Sequence, residues 1–196
     1  NPMIIKIASL PAAKMQVYFV DNEDFFQRKA FFYDEDGNFF EDNDERTIFF
    51  NKGAIEILLK LGWMPDIIHC HGWMTGLIPL YARTIYKNEP VFRQGKIVYT
   101  AYEDQIQEHL GEDFVKKTHL KKNADAVKDI LANPTPTDIQ RVGADYADAV
   151  TYGDGNIDKE LDQHIQTLDK PKLKYLDPES EEFTQEYVNL YNNLLN

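Results

Sequence analysis

Residues 65–76 (Pro-Asp-Ile-Ile-His-Cys-His-Gly-Trp-Met-Thr-Gly) restrict the fold of this chain more than any other segment. Ile67 and Ile68 begin an apolar run that is too short for a surface helix, and Gly72 follows it as a turn residue. Such a run, bounded by proline and glycine, is typical of a buried strand that leads into a turn and a helix. In an open parallel sheet, ligands bind at the carboxyl ends of strands, beside such turns. The segment therefore predicts both the sheet and the position of a candidate site.

The two histidines of this segment are the first candidates for function. Because side chains alternate along a strand, His69 and His71 are expected on one side and Cys70 on the other. Both imidazoles can then approach one ligand, but a histidine at a strand end is also often a purely structural residue, and both interpretations stay open. Zinc sites need three or four convergent ligands. The segment offers two on that side, so we predict no metal site.

Strand-like and helix-like segments alternate along the rest of the chain. The predicted strands cover residues 4–8, 15–20, 95–102, 148–152 and 172–176. The predicted helices cover residues 47–61, 73–86 and 134–147, a short segment that ends at residue 166, and a last helix that begins at residue 177. This alternation predicts an α/β fold with a right-handed, doubly wound parallel sheet of the Rossmann type. We expect residues 1–196 to form a single domain.

Local signals place several of these helix boundaries. The helix after the central strand either starts near Thr75 or is kinked by Pro79, because proline removes a helical hydrogen bond. Thr135 or Thr137 is expected to cap the helix that follows Pro134. Asp177, followed by proline, is the predicted N-cap of the last helix. That helix carries an apolar and aromatic stripe, which should pack on the sheet: Phe183, Tyr187, Leu190, Tyr191 and Leu194.

Composition excludes several classes of function. The net charge of −12 argues against nucleic acid and against an anionic membrane as partners. No apolar run approaches the length of a membrane span, and the single cysteine cannot form an internal disulfide. A reducing cytoplasm fits this cysteine usage, and we expect the protein there. The one local cationic cluster is expected to be a solvated face: Lys116, Lys117, Lys121 and Lys122.

Segments in four places match one known family in the same order. Residues 66–73 resemble the His-x-His-Asp-Trp segment in the N-terminal domain of bacterial glycogen synthases and plant starch synthases. Residues 18–22 are similar to the family's Tyr-x-x-Asp strand, residues 42–46 to its Asp-Asn-x-x-Arg segment, and residues 146–150 to its Tyr-Ala-Asp-x-Ile/Val segment. The pattern as a whole resembles the short, single-domain members from Bacteroides-like bacteria.

The resemblance implies both a fold and a reaction. These enzymes have the GT-B fold, and this chain would be its N-terminal half. Their reaction is the retaining transfer of glucose from ADP-glucose to the non-reducing end of an α-1,4-glucan. ADP-glucose and the glucan would therefore be the ligands of this chain, and no further cofactor is implied.

The resemblance also assigns roles to individual residues. His71 corresponds to the second histidine of the family motif. In the family that histidine faces the reacting sugar, so His71 would be the catalytic residue. Asp42, Asn43 and Arg46 would form the acceptor side of the site, although Asp42 also lies where a helix N-cap is expected. Trp73 is a further candidate for substrate binding, with packing in the core as the alternative.

The departures from the family pattern favour a second interpretation. Gly72 stands where the family has Asp, Met74 where it has His or Gln, and Tyr102 where its Thr-x-His-Asn segment has His. The Lys-x-Gly-Gly-Leu donor loop, the first strand and a second nucleotide-binding domain have no counterpart in this sequence. The alternative is a non-catalytic glucan-binding or regulatory domain derived from a synthase.

Two further expectations follow from the missing segments. A retaining transfer needs groups from both domains in productive geometry, so we expect the isolated chain to be inactive. A sheet without its first strand exposes an edge, which predicts self-association through that edge.

Overall fold

The computed structural model describes residues 2–120, 123 and 125–196. An antiparallel hairpin comes first, formed by β1 (Ile4–Leu10) and β2 (Met15–Asp21). Pro11 starts the short turn between its strands. The hairpin is separate from the main sheet.

A parallel sheet of four strands forms the centre of the fold. Its strands are β3 (Ile67–His71), β4 (Lys96–Ala101), β5 (Ala149–Tyr152) and β6 (Lys172–Leu173), and they lie side by side in that order. In this register His71 pairs with Thr100, and Thr100 pairs with Thr151. The carboxyl ends of the first three strands therefore lie level with one another.

Seven helices connect and cover these strands in the described part of the chain. They are α1 (Asn43–Leu61), α2 (Leu77–Arg83), α3 (Pro90–Arg93), α4 (Phe114–Thr118), α5 (Pro136–Tyr146), α6 (Lys159–Thr167) and α7 (Phe183–Leu195). No helix in the described residues combines the length and the apolar character that crossing a membrane requires.

Helices pack on both faces of the parallel sheet. On one face, Cys70 and Tyr99 join the main core together with Ile55 of α1, Leu80 of α2 and Ile139 of α5. On the other face, Leu190 of α7 packs in a second cluster with Val98 of β4 and Ala149 of β5. The α/β parallel-sheet prediction is therefore confirmed, and the apolar stripe of the last helix lies on the sheet as expected.

The starts of two helices differ from the sequence prediction, and the start of a third decides between two predicted alternatives. α1 begins at Asn43, four residues before the predicted start at Thr47. α2 begins at Leu77, so Pro79 falls in the first turn, where the missing N–H costs no helical hydrogen bond. The predicted start of the last helix at Asp177 is wrong, because the helix begins at Phe183. The Asp177 carboxylate instead accepts a hydrogen bond from the backbone N–H of Glu179 at 3.0 Å, as in an Asx turn.

Of the two threonines predicted to cap α5, Thr135 is the cap. The Thr135 hydroxyl accepts a hydrogen bond from the backbone N–H of Asp138 at 3.3 Å, and the Asp138 carboxylate accepts one from the Thr135 N–H at 3.0 Å. This reciprocal capping box holds the start of α5, the helix that packs against α2 beneath the site.

Removing this cap should weaken the fold measurably. We expect Thr135→Ala to lower the free energy of unfolding by about 1 kcal/mol, since it leaves backbone donors of the first turn without partners. Urea unfolding followed by circular dichroism measures the change. Thr137→Ala is the matched control, because this neighbouring threonine takes no part in the box. Equal losses for the two variants would show that the box contributes no specific stability.

Candidate functional site

The site lies at the carboxyl end of the parallel sheet, around the two histidines of β3. The rings of His69 and His71 are stacked, with centroids 4.1 Å apart and planes 28° from parallel. Cys70 points to the opposite face and is buried, with 2% of its surface exposed. The predicted alternation along this strand is confirmed, and both imidazoles lie on the face that α7 covers.

His69 is held by hydroxyl groups on both ring nitrogens. Its Nδ1 lies 2.6 Å from the Tyr191 hydroxyl, and its Nε2 lies 2.6 Å from the Thr100 hydroxyl. The Thr100 hydroxyl in turn lies 2.5 Å from that of Thr151. Because a hydroxyl can donate or accept, this chain satisfies a neutral imidazole completely. Burial, aided by neighbouring His71, lowers the pKa of His69 to about 3, so His69 is the structural histidine of the pair.

The buried neutral state of His69 should make stability depend on pH. Its folded pKa is lowered from 6.5 to about 3, so the unfolded chain takes up the proton first as the pH falls. The contribution of neutral His69 to the free energy of unfolding is therefore fully present above the pKa that His69 has in the unfolded chain. It is lost as the pH falls toward the pKa that His69 has in the folded protein. We expect His69→Gln to remove about 1–2 kcal/mol of the stability difference between roughly pH 7 and pH 5 in urea unfolding. An identical pH dependence in wild type and variant would contradict a neutral His69.

His71 differs from its neighbour because one of its nitrogens remains available. Its Nδ1 lies 3.0 Å from the Tyr102 hydroxyl, and within the described part of the chain its Nε2 forms no hydrogen bond. The ring is exposed at the strand end, and partial desolvation lowers its pKa. A neutral imidazole with a free Nε2 can bind or orient a ligand at this position.

Two glycines make room for this arrangement. Gly72 has a φ of +67°, a conformation that residues with a side chain rarely adopt. A Cβ atom on Gly153 would lie 2.2 Å from the Tyr102 ring. Gly153 therefore allows Tyr102 to pack where its hydroxyl meets His71.

A cavity of about 370 Å³ opens beside the two histidines. The sheet supplies one side of it, and α7 with the segment before that helix supplies the other. The residues that define it here are His69, His71, Tyr102, Phe183, Tyr187 and Tyr191. None of the predicted acceptor residues lines this cavity, and neither does Trp73.

Asn43 and Arg46 instead hold the loop before α1. Arg46 is 5% exposed, and its guanidinium donates to the carbonyl oxygens of Phe25 and Phe31 and to the Asn43 side chain. Asn43 is 1% exposed and donates to the carbonyl of Phe32 at 2.9 Å. Both side chains thus anchor the loop of residues 22–42 to the start of α1, and their predicted role at the acceptor remains untested.

Asp42 and Trp73 also make structural contacts. Asp42 stands at the N-cap position without a capping hydrogen bond, and its carboxylate pairs with both terminal nitrogens of Arg28 at 2.9 and 2.6 Å. Trp73 is 3% exposed, and its ring lies 4.9 Å from that of Phe32. The position of Trp73 favours the packing alternative, because no ring face is open to a sugar.

The cationic cluster is only partly described, since Lys121 and Lys122 lie outside the described residues. Lys117 is not simply solvated, because its ammonium pairs with Asp44 at 2.6 Å and with Glu45 at 3.1 Å. Across the described residues, no group of three or more His, Cys, Asp and Glu side chains is arranged to hold a metal ion.

Sequence reasoning missed the residues that complete the cavity. The sequence indicates Tyr102 only as a departure from a family motif, and it predicts Tyr187 and Tyr191 only as packing residues of the last helix. The stripe on α7 was a usable signal, because a helix that packs on the face carrying His69 must bring its aromatic side chains to that histidine. The strand register supplies the rest, since it pairs His71 with Thr100 and so places Tyr102 just beyond the ends of both strands.

The family model and the relatives that match this chain all indicate the same family. Residues 2–170 match the family model described as "Starch synthase catalytic domain". The chain is 35% identical over 176 residues to the glycogen synthase of Chlorobium phaeobacteroides, a match that covers 82% of this chain and 36% of that protein. It is 34% identical over 172 residues to the glycogen synthase of Chlorobaculum tepidum, which covers 87% of this chain and 33% of that protein. The chain thus spans about a third of the length of these relatives.

A solved structure shares the fold. The catalytic domain of Starch Synthase IV from Arabidopsis thaliana, bound to ADP and acarbose, superimposes with a TM-score of 0.67. The match covers 89% of this chain and 37% of that chain, at 21% sequence identity. At this identity the likeness concerns the fold alone.

Proposed function

The chain belongs to the family of starch synthase catalytic domains, and from this premise we propose that it is the N-terminal half of a glucosyltransferase that extends an α-1,4-glucan. The donor would be ADP-glucose, and the anomeric configuration would be retained. The remaining part of the donor site would come from a nucleotide-binding half outside these 196 residues, so the chain by itself is expected to be inactive.

The observation that carries the proposal is the free Nε2 atom of His71 at the carboxyl end of the sheet. The Tyr102 hydroxyl occupies Nδ1 at 3.0 Å and so fixes the ring. In the tautomer in which Nδ1–H donates to that hydroxyl, Nε2 is left as an acceptor on a residue that lines the cavity. Parallel α/β sheets bind their ligands at this end, which supports a catalytic role for His71 in this chain.

The chemistry of glycosyl transfer explains what such an acceptor contributes. Positive charge develops on the anomeric carbon as the bond to the leaving group breaks. A hydroxyl group of the transferred glucose becomes a stronger donor at that moment, so its hydrogen bond to neutral Nε2 strengthens in the transition state. An interaction that is stronger in the transition state than in the ground state raises the rate.

The proposed function also includes the cofactor requirement, the cellular location and the self-association of the protein. We propose that transfer from the donor substrate ADP-glucose needs no metal ion and no cofactor, and that the protein works in the cytoplasm, where its one cysteine stays reduced. Self-association through the open edge of the parallel sheet at β3 is also proposed, because an unpaired edge invites another strand. Asp42, Asn43 and Arg46 would act on the acceptor indirectly, by holding the loop before α1.

The deciding experiment measures incorporation of radiolabelled glucose from ADP-glucose into glycogen by the product of the whole native gene. Incorporation with retained configuration would support the proposal. Glycogen binding in a pull-down without incorporation would contradict it, and would favour the non-catalytic glucan-binding domain instead.

A further inference from the structure

The cavity beside His71 has one wall that lies outside the family match. The family model ends at residue 170, whereas Phe183, Tyr187 and Tyr191 belong to α7. We propose that α7 supplies an aromatic wall against which pyranose rings stack, and that the cavity therefore holds the neutral glucan rather than the diphosphate of the sugar nucleotide. The choice of a glucan as the neutral ligand rests on the proposed function.

The rings of this wall form a continuous series along one side of α7. The Phe183 and Tyr187 centroids are 4.8 Å apart, and those of Tyr187 and Tyr191 are 6.1 Å apart. Tyr187 also lies 5.9 Å from His69, which ties the series to the sheet. All three rings are only partly buried. A packing stripe with ring surface left open toward a cavity is a surface on which flat, apolar sugar faces can lie.

The lining of the cavity is free of ionised side chains. In a chain with a net charge of −12, the described residues around this cavity include no Asp, Glu, Lys or Arg. Its two histidines are neutral near pH 7, since burial lowers the pKa of both. A diphosphate here would lose water without gaining a cation, at a high cost. The N-terminal turn of α7 gives no compensation, because Glu182 and Glu186 lie there.

Polar groups that suit a neutral sugar do reach the cavity. The Nε2 atom of His71 and the hydroxyls of Thr184 and Tyr187 make no hydrogen bond within the described part of the chain, and all three residues line the cavity. Sugar hydroxyls can both donate to and accept from such groups. The cavity thus combines aromatic faces with a few neutral polar groups, as carbohydrate pockets require.

The test measures binding of maltoheptaose to the 196-residue chain by isothermal titration calorimetry. We expect Tyr187→Ala to weaken binding by about tenfold, because one aromatic face is lost, and Tyr187→Phe to retain most of the affinity. Asn193→Ala on the exposed side of α7 is the control and should bind as the wild type does. Val188→Trp, a change at a residue that is 42% exposed, should also weaken binding by filling the cavity. Circular dichroism checks that each variant is folded.

The outcomes separate this inference from the proposed function. Affinity that is insensitive to salt and to added ADP, and that falls in Tyr187→Ala and Val188→Trp, would support the aromatic wall even if no glucose transfer is ever measured. Competition by ADP would overturn it, because the cavity would then accept the diphosphate. Unchanged maltoheptaose affinity in both folded variants would overturn it as well, and would leave the transferase proposal standing. Absence of maltoheptaose binding to the wild-type chain would also overturn it.

Discussion

Replacing His71 with alanine is expected to lower glucose transfer to glycogen by about 100-fold or more in the complete protein. The variant loses the free Nε2 atom of a residue that lines the cavity. Since this hydrogen bond is proposed to strengthen in the transition state, the loss should appear in kcat more than in KM. Binding of maltoheptaose should weaken much less, because the rings of α7 remain in place. The measurement is incorporation of labelled glucose over a range of ADP-glucose concentrations.

Two comparison variants make this result specific. His109→Ala replaces an exposed histidine whose Nδ1 lies 2.6 Å from the carbonyl of Asn133, away from the cavity, and should transfer glucose at the wild-type rate. Tyr102→Phe removes only the hydroxyl that positions the His71 ring. It should lower kcat by about tenfold and change the pH profile of kcat, which a purely structural tyrosine would not do. Full transfer by His71→Ala would remove this histidine from the mechanism.

The parts of the fold that the sequence predicted correctly depend on short-range signals. The apolar run at Ile67 and Ile68, the alternation along residues 69–71, and the cap of α5 at one of two predicted threonines each involve residues close together in the chain. Their physical causes, burial of one face and satisfaction of local donors, act over a few residues. Such features can be read from one sequence.

The parts that were missed depend on tertiary contacts. Asp177 carries a local signal that serves equally well for a helix cap and for a turn, and only the packing of α7 decides between them. The contact between Tyr191 and His69 joins residues 122 positions apart, so no local pattern reveals it. The same holds for the aromatic side of the cavity. The family motif did locate His71, but it could not show that Tyr102 would meet its ring.

The motif residues in the first turn of α1 show the limit of a transferred role most clearly. Asn43 and Arg46 were predicted at the acceptor side, but their side chains are buried and bonded to backbone carbonyls of the preceding loop. A side chain can anchor a binding loop through its structural contacts whether or not it also touches the substrate. Stability and binding measured on one variant distinguish the two roles.

Arg46→Ala is therefore expected to destabilise the protein strongly, by about 3 kcal/mol in urea unfolding. The change removes a buried guanidinium and leaves the Phe31 carbonyl and the Asn43 side-chain oxygen without their donor. Arg46→Lys should recover less than half of the loss, because one ammonium cannot reproduce the separate contacts made by Nε and Nη1.

The matched control is Arg93→Ala, at an exposed arginine whose one side-chain hydrogen bond within the described residues goes to the Asn88 carbonyl at 3.3 Å. This variant should change stability by less than about 0.5 kcal/mol. Unchanged stability of Arg46→Ala together with weaker maltoheptaose binding would assign Arg46 to the acceptor directly. A large loss of stability, with glucan binding to the remaining folded protein largely preserved, would make Arg46 the anchor of the loop. We expect the second result, because Nε and Nη1 of Arg46 already donate to protein acceptors and only 5% of the residue's surface is exposed to a sugar.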